Sequence, residues 1–203
     1  MIKFRICRAV VARGLASVVG LALCTAPVAA DGLRAFDDWD GTWSHTAYVG
    51  NMTSDRVEGL FEGPSFIDNY LVGYALTYDH PLNARWSVGA ELQFTYHFGD
   101  QTYGEVGLPF TLRYRPERPW PRPVEALAFG LGMSHATKIP QVEIEKDDGS
   151  RRNLFYWLAE VEFKTDDPGR TWFVRIHHRS NAWGVLEPNG GSNALALGIR
   201  HDF

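Results

Sequence analysis

Residues 84–98 read ARWSVGAELQFTYHF, and every second position is apolar: Ala84, Trp86, Val88, Ala90, Leu92, Phe94, Tyr96 and Phe98. Between them stand Arg85, Ser87, Gly89, Glu91, Gln93, Thr95 and His97. An extended chain throws successive side chains to opposite faces, so this segment is a strand with one apolar and one polar face. Strands of soluble sheets run about 5 or 6 residues, whereas a tilted strand crossing a bilayer needs roughly 9 to 11. The unbroken alternation over 84–98 suits a membrane strand.

The same period recurs on both sides of it. Upstream lie 43–52 and 69–79, the latter with Val72, Tyr74, Leu76 and Tyr78 on one parity and Leu71 and Gly73 on the other. Downstream come 103–115 (Val106, Leu108, Phe110, Leu112, Tyr114) and 124–138 (Leu127, Phe129, Leu131, Met133). Then follow 153–165 (Phe155, Trp157, Ala159, Val161, Phe163), 170–181 (Trp172, Val174, Ile176) and 193–203 (Leu195, Leu197, Ile199, Phe203). That makes eight strands. The opposite parity carries Arg85, Glu91, Glu105, Arg113, Glu160, Glu162, Lys164, Arg175, Arg179, Arg200 and Asp202.

Lipid offers no hydrogen bonds to an open sheet edge, so such strands must close on themselves. Eight strands enclose room for side chains and no more, and charges of both signs neutralise one another there instead of lining a pore. The expected fold is therefore all-β, an eight-stranded antiparallel transmembrane β-barrel with a polar plugged interior. The competing reading is a soluble periplasmic barrel of the lipocalin type. Trp86, Tyr96, Tyr103, Tyr114, Trp157 and Trp172 lie near strand ends, where aromatic girdles are expected.

The first thirty residues read differently. Lys3, Arg5, Arg8 and Arg13 precede an apolar run from Leu15 to Ala26, and Val28-Ala29-Ala30 ends the segment on small residues. This is the pattern of a secretory signal peptide, 1–30, which leaves 31–203 as one outer-membrane barrel domain. The signal holds four of the 20 basic residues and none of the 24 acidic ones, so the mature chain carries 16 against 24, a net charge of −8. That balance argues against a nucleic-acid partner. Both cysteines, Cys7 and Cys24, fall in the signal, which excludes disulfides and cysteine metal sites from the mature domain.

An even strand number with a periplasmic start sets the topology. The turns at 80–83, 116–123 and 166–169 face the periplasm, and 53–68, 99–102, 140–152 and 182–192 face outward. Among the outer segments, QVEIEKDDGSRR (141–152) reads as a solvated loop.

Polar cargo on an apolar strand marks the candidate site. In the seventh strand Trp172, Val174 and Ile176 define the lipid-facing parity, which continues to His178 and Ser180, while Arg175, His177 and Arg179 point inward. Counting up from residue 170 on one strand and from Phe203 on the next brings Asn193 to the level of Ser180 on the same outer surface. A neutral imidazole that takes the proton of a nearby hydroxyl activates a weak nucleophile, and a third polar group that holds the imidazole completes the arrangement. His45, His80, His97, His135 and His201 show no repeated ligand spacing and read as barrel-lining or interfacial, so neither a metal nor another cofactor is expected.

These residues resemble the PagL family of outer-membrane lipid A 3-O-deacylases. That family combines an eight-stranded barrel with a His-x-Ser-Asn motif near the end of the seventh strand, an Asn in the following loop and a Glu at the start of the eighth. Here His178-Arg179-Ser180-Asn181 matches the motif and Pro188-Asn189-Gly190 looks like the loop segment, the specific resemblance covering about residues 172 to 203. It implies Ser180 as nucleophile, His178 as general base, and Asn181 and Asn189 as oxyanion or substrate-binding groups. At the family's acidic position this chain has Asn193, with Glu187 in the same loop as the alternative third member. Asn orients a histidine through its carbonyl oxygen but brings no charge to an imidazolium.

The resemblance implies an esterase acting on lipid A of lipopolysaccharide among the lipids of the bacterial outer membrane. The terminal Phe203 is similar to that of many outer-membrane proteins, clients of the barrel-assembly machinery. A non-catalytic structural or adhesion barrel and a lipid A acyltransferase are the alternative functions.

Overall fold

The computed structural model of the chain describes residues 40–117, 120 and 123–203. The expected signal peptide at 1–30 and the start of the barrel domain at 31 lie outside the described residues. Eight strands follow in chain order: β1 (Thr42–Thr53), β2 (Phe66–Pro81), β3 (Trp86–Gly99), β4 (Tyr103–Tyr114), β5 (Val124–Ala136), β6 (Asn153–Lys164), β7 (Arg170–Ser180) and β8 (Gly191–Asp202). Each pairs antiparallel with the next, and β1 returns to β8, from Ser44 opposite Asp202 to Thr53 opposite Asn193. The sheet is a closed barrel with no free edge, the form that satisfies every strand in lipid.

Its faces are those of a membrane barrel. On β3 and β4 the apolar parity points out, with Phe94 51% and Phe110 71% exposed. Glu91, Gln93, Thr95, His97, Glu105 and Arg113 of the same strands are buried inside. A lipocalin-type barrel would have the two faces exchanged.

The interior is an ion-pair network. Arg175 bonds Glu160 at 2.6 Å and Glu91 at 3.0 Å. Arg200 joins Glu160 at 2.9 Å and Glu162 at 2.7 Å, and Glu162 in turn accepts from Arg113 Nε at 2.6 Å. Alternating acids and bases neutralise one another, and removing the last partner of a buried charge costs about 3–5 kcal/mol. Arg175 also stacks its guanidinium 5.0 Å from the rings of Tyr48 and Phe173. Gly73 on the inward parity of β2 is required there, because a Cβ would fall 2.0 Å from the Tyr48 ring.

Parity alone misassigned a few positions at the strand ends. Arg85 pairs with Glu117 at the turn, and Lys164 and Asp202 are exposed, because the interior stops where the short turns begin. Tyr103 is not a girdle residue; it lies inside, stacked 4.1 Å from the His97 ring, on the parity opposite to Val106 and Leu108.

The segment expected to be a solvated loop forms helix α1 (Gln141–Asp147), which caps the barrel mouth. Glu143 of its first turn is fully buried. Its Oε1 accepts from Ser192 at 2.7 Å and lies 3.3 Å from Arg179 Nε, and Ser150 bonds its other oxygen. Burial raises the Glu143 carboxyl above the ordinary carboxylate range, against the opposing pull of Arg179 and the two hydroxyls. A charge-rich stretch looks solvated in sequence, and its buried partners come from other strands.

Candidate active site

Strand β7 lies between β6 and β8 in a register that sets Trp157 and Asn193 on either side of His178. Residues directly opposite in adjacent strands have Cβ atoms about 4.5–5.5 Å apart, so both reach the imidazole. The Trp157 ring sits 4.5 Å from that of His178. Asn193 Oδ1 lies 2.5 Å from His178 Nδ1.

The direction of this bond follows from the other end of the carboxamide. Asn193 Nδ2 donates to the Asp55 carbonyl at 2.7 Å, an oxygen that only accepts. Oδ1 therefore faces His178, Nδ1 carries the ring proton, and Nε2 is left with its lone pair. Nε2 makes no hydrogen bond among the described residues, so the imidazole is free to act as a base through that atom.

Ser180 shares the outward face with His178, two residues further up β7. Its Oγ accepts the Ala182 N–H at 3.4 Å, and its own proton is not committed to a protein acceptor among the described residues. The structure does not join Ser180 and His178 by a hydrogen bond. Opposite Ser180 stands Gly191 instead of Asn193, so no β8 side chain crowds the hydroxyl. The two-residue difference from the count by height arises because His201, not Phe203, faces Arg170, and Phe203 runs on to donate its N–H to Trp43 at 2.9 Å.

Both residues open onto one groove of about 790 Å³ on the outer surface of the barrel. Phe129, Leu131, Phe155 and Trp157 form its apolar side and Arg56 and Lys146 its cationic rim, with Glu58 and Asp147 beside them. Asn181 and Asn189 also line it, and Asn181 Nδ2 donates to Asn189 Oδ1 at 2.6 Å. Asn193 is 1% exposed although its parity faces outward, because the loop carrying Asp55 folds over it. Glu187 is exposed and does not line the groove; its backbone carbonyl accepts from Arg151 at 3.0 Å.

Just past Ser180-Asn181 the backbone holds Ala182 at φ 51° and Trp183 at φ 54°. The left-handed region costs a non-glycine residue about 1–2 kcal/mol, and such positions persist only where the surrounding structure holds them.

Sequence reading missed two contributors, Asp55 and Lys146. Lys146 Nζ donates to the Asp55 carbonyl at 2.8 Å, the same oxygen that holds Asn193. One contributes only its backbone and the other lies on α1, and no local pattern announces either.

Inside the barrel, His97 Nε2 lies 2.9 Å and His177 Nε2 3.3 Å from Glu105 Oε2, the described group whose spacing comes nearest to a metal site. Arg179 Nη1 is 3.9 Å from the same oxygen, so the positive charge that faces this carboxylate is already a guanidinium. The three residues belong to the plug.

The sequence matches no protein-family model and no curated protein. Among solved structures, the barrel is similar to the outer membrane enzyme PagL, with TM-score 0.53 and 14% identity over 78% of this chain and 98% of that one. Ail, the attachment invasion locus protein of Yersinia pestis, aligns with TM-score 0.49 and 14% identity over 80% and 98%. Neisserial surface protein A aligns with TM-score 0.44 and 12% identity over 80% and 96%. At 14% identity the likeness to PagL is one of fold alone.

Proposed function

We propose that this barrel is a bacterial outer-membrane esterase that removes an ester-linked hydroxyacyl chain from lipid A of lipopolysaccharide. The observation that carries the reading is the outward-facing pair His178 and Ser180, with His178 Nδ1 held at 2.5 Å by Asn193, in a groove whose other wall is lipid-facing aromatic surface. A substrate whose acyl chains stay in the membrane meets such a site without leaving the bilayer.

Ser180 Oγ attacks the acyl carbonyl while His178 Nε2 takes its proton. The amide hydrogens of Asn181 and Asn189 stabilise the oxyanion that develops. The intermediate collapses with cleavage of the bond to the sugar oxygen, which takes the imidazolium proton and leaves as a hydroxyl, and an acyl ester remains on Ser180. Water, activated by the same nitrogen, hydrolyses that ester and frees the fatty acid. Asn193 holds the ring orientation through both steps, and Glu187, exposed and outside the groove, takes no part. The reaction needs no metal and no organic cofactor. On this reading the partners are lipopolysaccharide and the surrounding outer-membrane lipids, with folding assisted by the barrel-assembly machinery.

Mass spectrometry of lipid A from cells with and without the protein tests the reading. Loss of one hydroxyacyl chain, abolished by Ser180→Ala and by His178→Ala, is the expected result. Gain of a chain identifies an acyltransferase, and unchanged lipid A identifies a structural or adhesion barrel; either overturns the proposal.

A further inference from the structure

The identity of the residue at position 193 leaves the site with a problem that a carboxylate would not have. A carboxylate presents oxygen to His178 whichever way it turns. A carboxamide turned over presents an N–H, which fixes the ring with Nδ1 bare and Nε2 protonated, and that tautomer cannot accept a proton from Ser180. Something must hold Asn193 the right way round.

We infer that Lys146 and the Asp55 carbonyl form a clamp that fixes the Asn193 carboxamide, making Lys146 a positioning residue for the His178 base. The inference rests on the esterase reading for its purpose, but its geometry stands independently. Asn193 Nδ2 and Lys146 Nζ donate to the Asp55 oxygen at 2.7 and 2.8 Å. Turning the carboxamide over would bring two acceptor oxygens to the same short distance at a side chain, Asn193, that is 1% exposed.

Each arm of the clamp is anchored. Asp55 is tied back into its own loop by Ser65 N–H, which donates to its carboxylate at 2.5 Å. The Ser54 N–H bonds the Ser65 carbonyl at 3.1 Å in the same loop. Lys146 rides on α1, which Glu143 pins into the barrel mouth through Ser192 and Arg179. Two external segments, β1–β2 and β5–β6, thus meet at one carbonyl and set the proton position on a third element.

The tautomer of His178 is directly observable. The full barrel, folded in detergent micelles with ¹⁵N-labelled histidine, shows protonated and bare ring nitrogens separately in long-range ¹H–¹⁵N correlation spectra. The His178 signals are those lost in His178→Gln. The expected wild-type state is a protonated Nδ1 and a bare Nε2. Lys146→Met shifts the population toward protonated Nε2, while Lys146→Arg keeps the wild-type pattern, with folding of each variant verified by heat-modifiable gel mobility. Deacylation by Lys146→Met falls in kcat with the competent fraction, roughly 10-fold if about one-tenth remains, with KM unchanged. Asn193→Leu gives a second route to the same loss of protonated Nδ1.

A wild-type ring protonated at Nε2, or a Lys146→Met spectrum identical to wild type, overturns the clamp. The expected spectra together with absent deacylation leave the clamp standing and remove the esterase reading instead.

Discussion

Strand β7 carries two sets of polar side chains one residue apart, and they differ in what their bonding atoms are doing. Inward, Arg175 is held between Glu91 and Glu160, His177 between Tyr156 and Glu105, and Arg179 reaches Glu143 and the carbonyls of Arg151 and Arg152. Outward, among the described residues, His178 is held by one nitrogen only, and Ser180 accepts a single long bond. The inward set is spent on neutralising charge that lipid and barrel would otherwise leave unpaired. The outward set is oriented but keeps a lone pair and a proton in reserve, which is the condition for chemistry.

The comparison can be broken from either side. The largest effect is expected from Arg175→Met, which takes from the buried Glu91 its ion-pair partner, leaves Glu160 with Arg200 alone, and costs about 3–5 kcal/mol of stability. Urea unfolding in micelles reads this as a lowered midpoint, with every site property lost together. An unchanged midpoint would mean that the plug is not what holds the barrel.

Ser180→Ala should do the reverse, keeping the wild-type unfolding midpoint while lowering deacylation by at least about 10⁴-fold, and His178→Ala the same in activity with a small loss of stability because the buried Asn193 oxygen loses its donor. Residual activity within tenfold of wild type in either variant would detach the pair from the reaction. Asn193→Ala ranks next, with a loss of about 10²-fold from misorientation of the base and, because the Asp55 carbonyl keeps Lys146 as a donor, only about 0.5–1.5 kcal/mol of stability. Glu187→Ala is the smallest change, within about twofold by the measure of exposed substitutions. If the last two exchange places, the third role moves from Asn193 to Glu187.

The barrel was legible because its signal is local and repeated. Alternation needs only neighbours two apart, and the bilayer imposes it on each strand independently, so 84–98 and its seven counterparts could be read one at a time. Reading failed where the environment changes along a strand or comes from elsewhere. Tyr103 has girdle composition but lies under the cap of the barrel, and Arg85, Lys164 and Asp202 have interior parity at positions past the interior's end. Helix α1 is short, and its buried Glu143 is accounted for by Arg179 and Ser192 on other strands.

The candidate site divides in the same way. That His178 and Ser180 share an outward face follows from residues two apart in an extended chain, whatever the rest of the molecule does. That Asn193 stands opposite His178 depends on the register between β7 and β8, and that its oxygen faces the ring depends on a bond to Asp55, 138 residues away in the chain. Alternation determined which residues face lipid. Only the closed barrel and its packed loops decided which of them meet, because register and loop contacts are set by distant partners that no local period encodes.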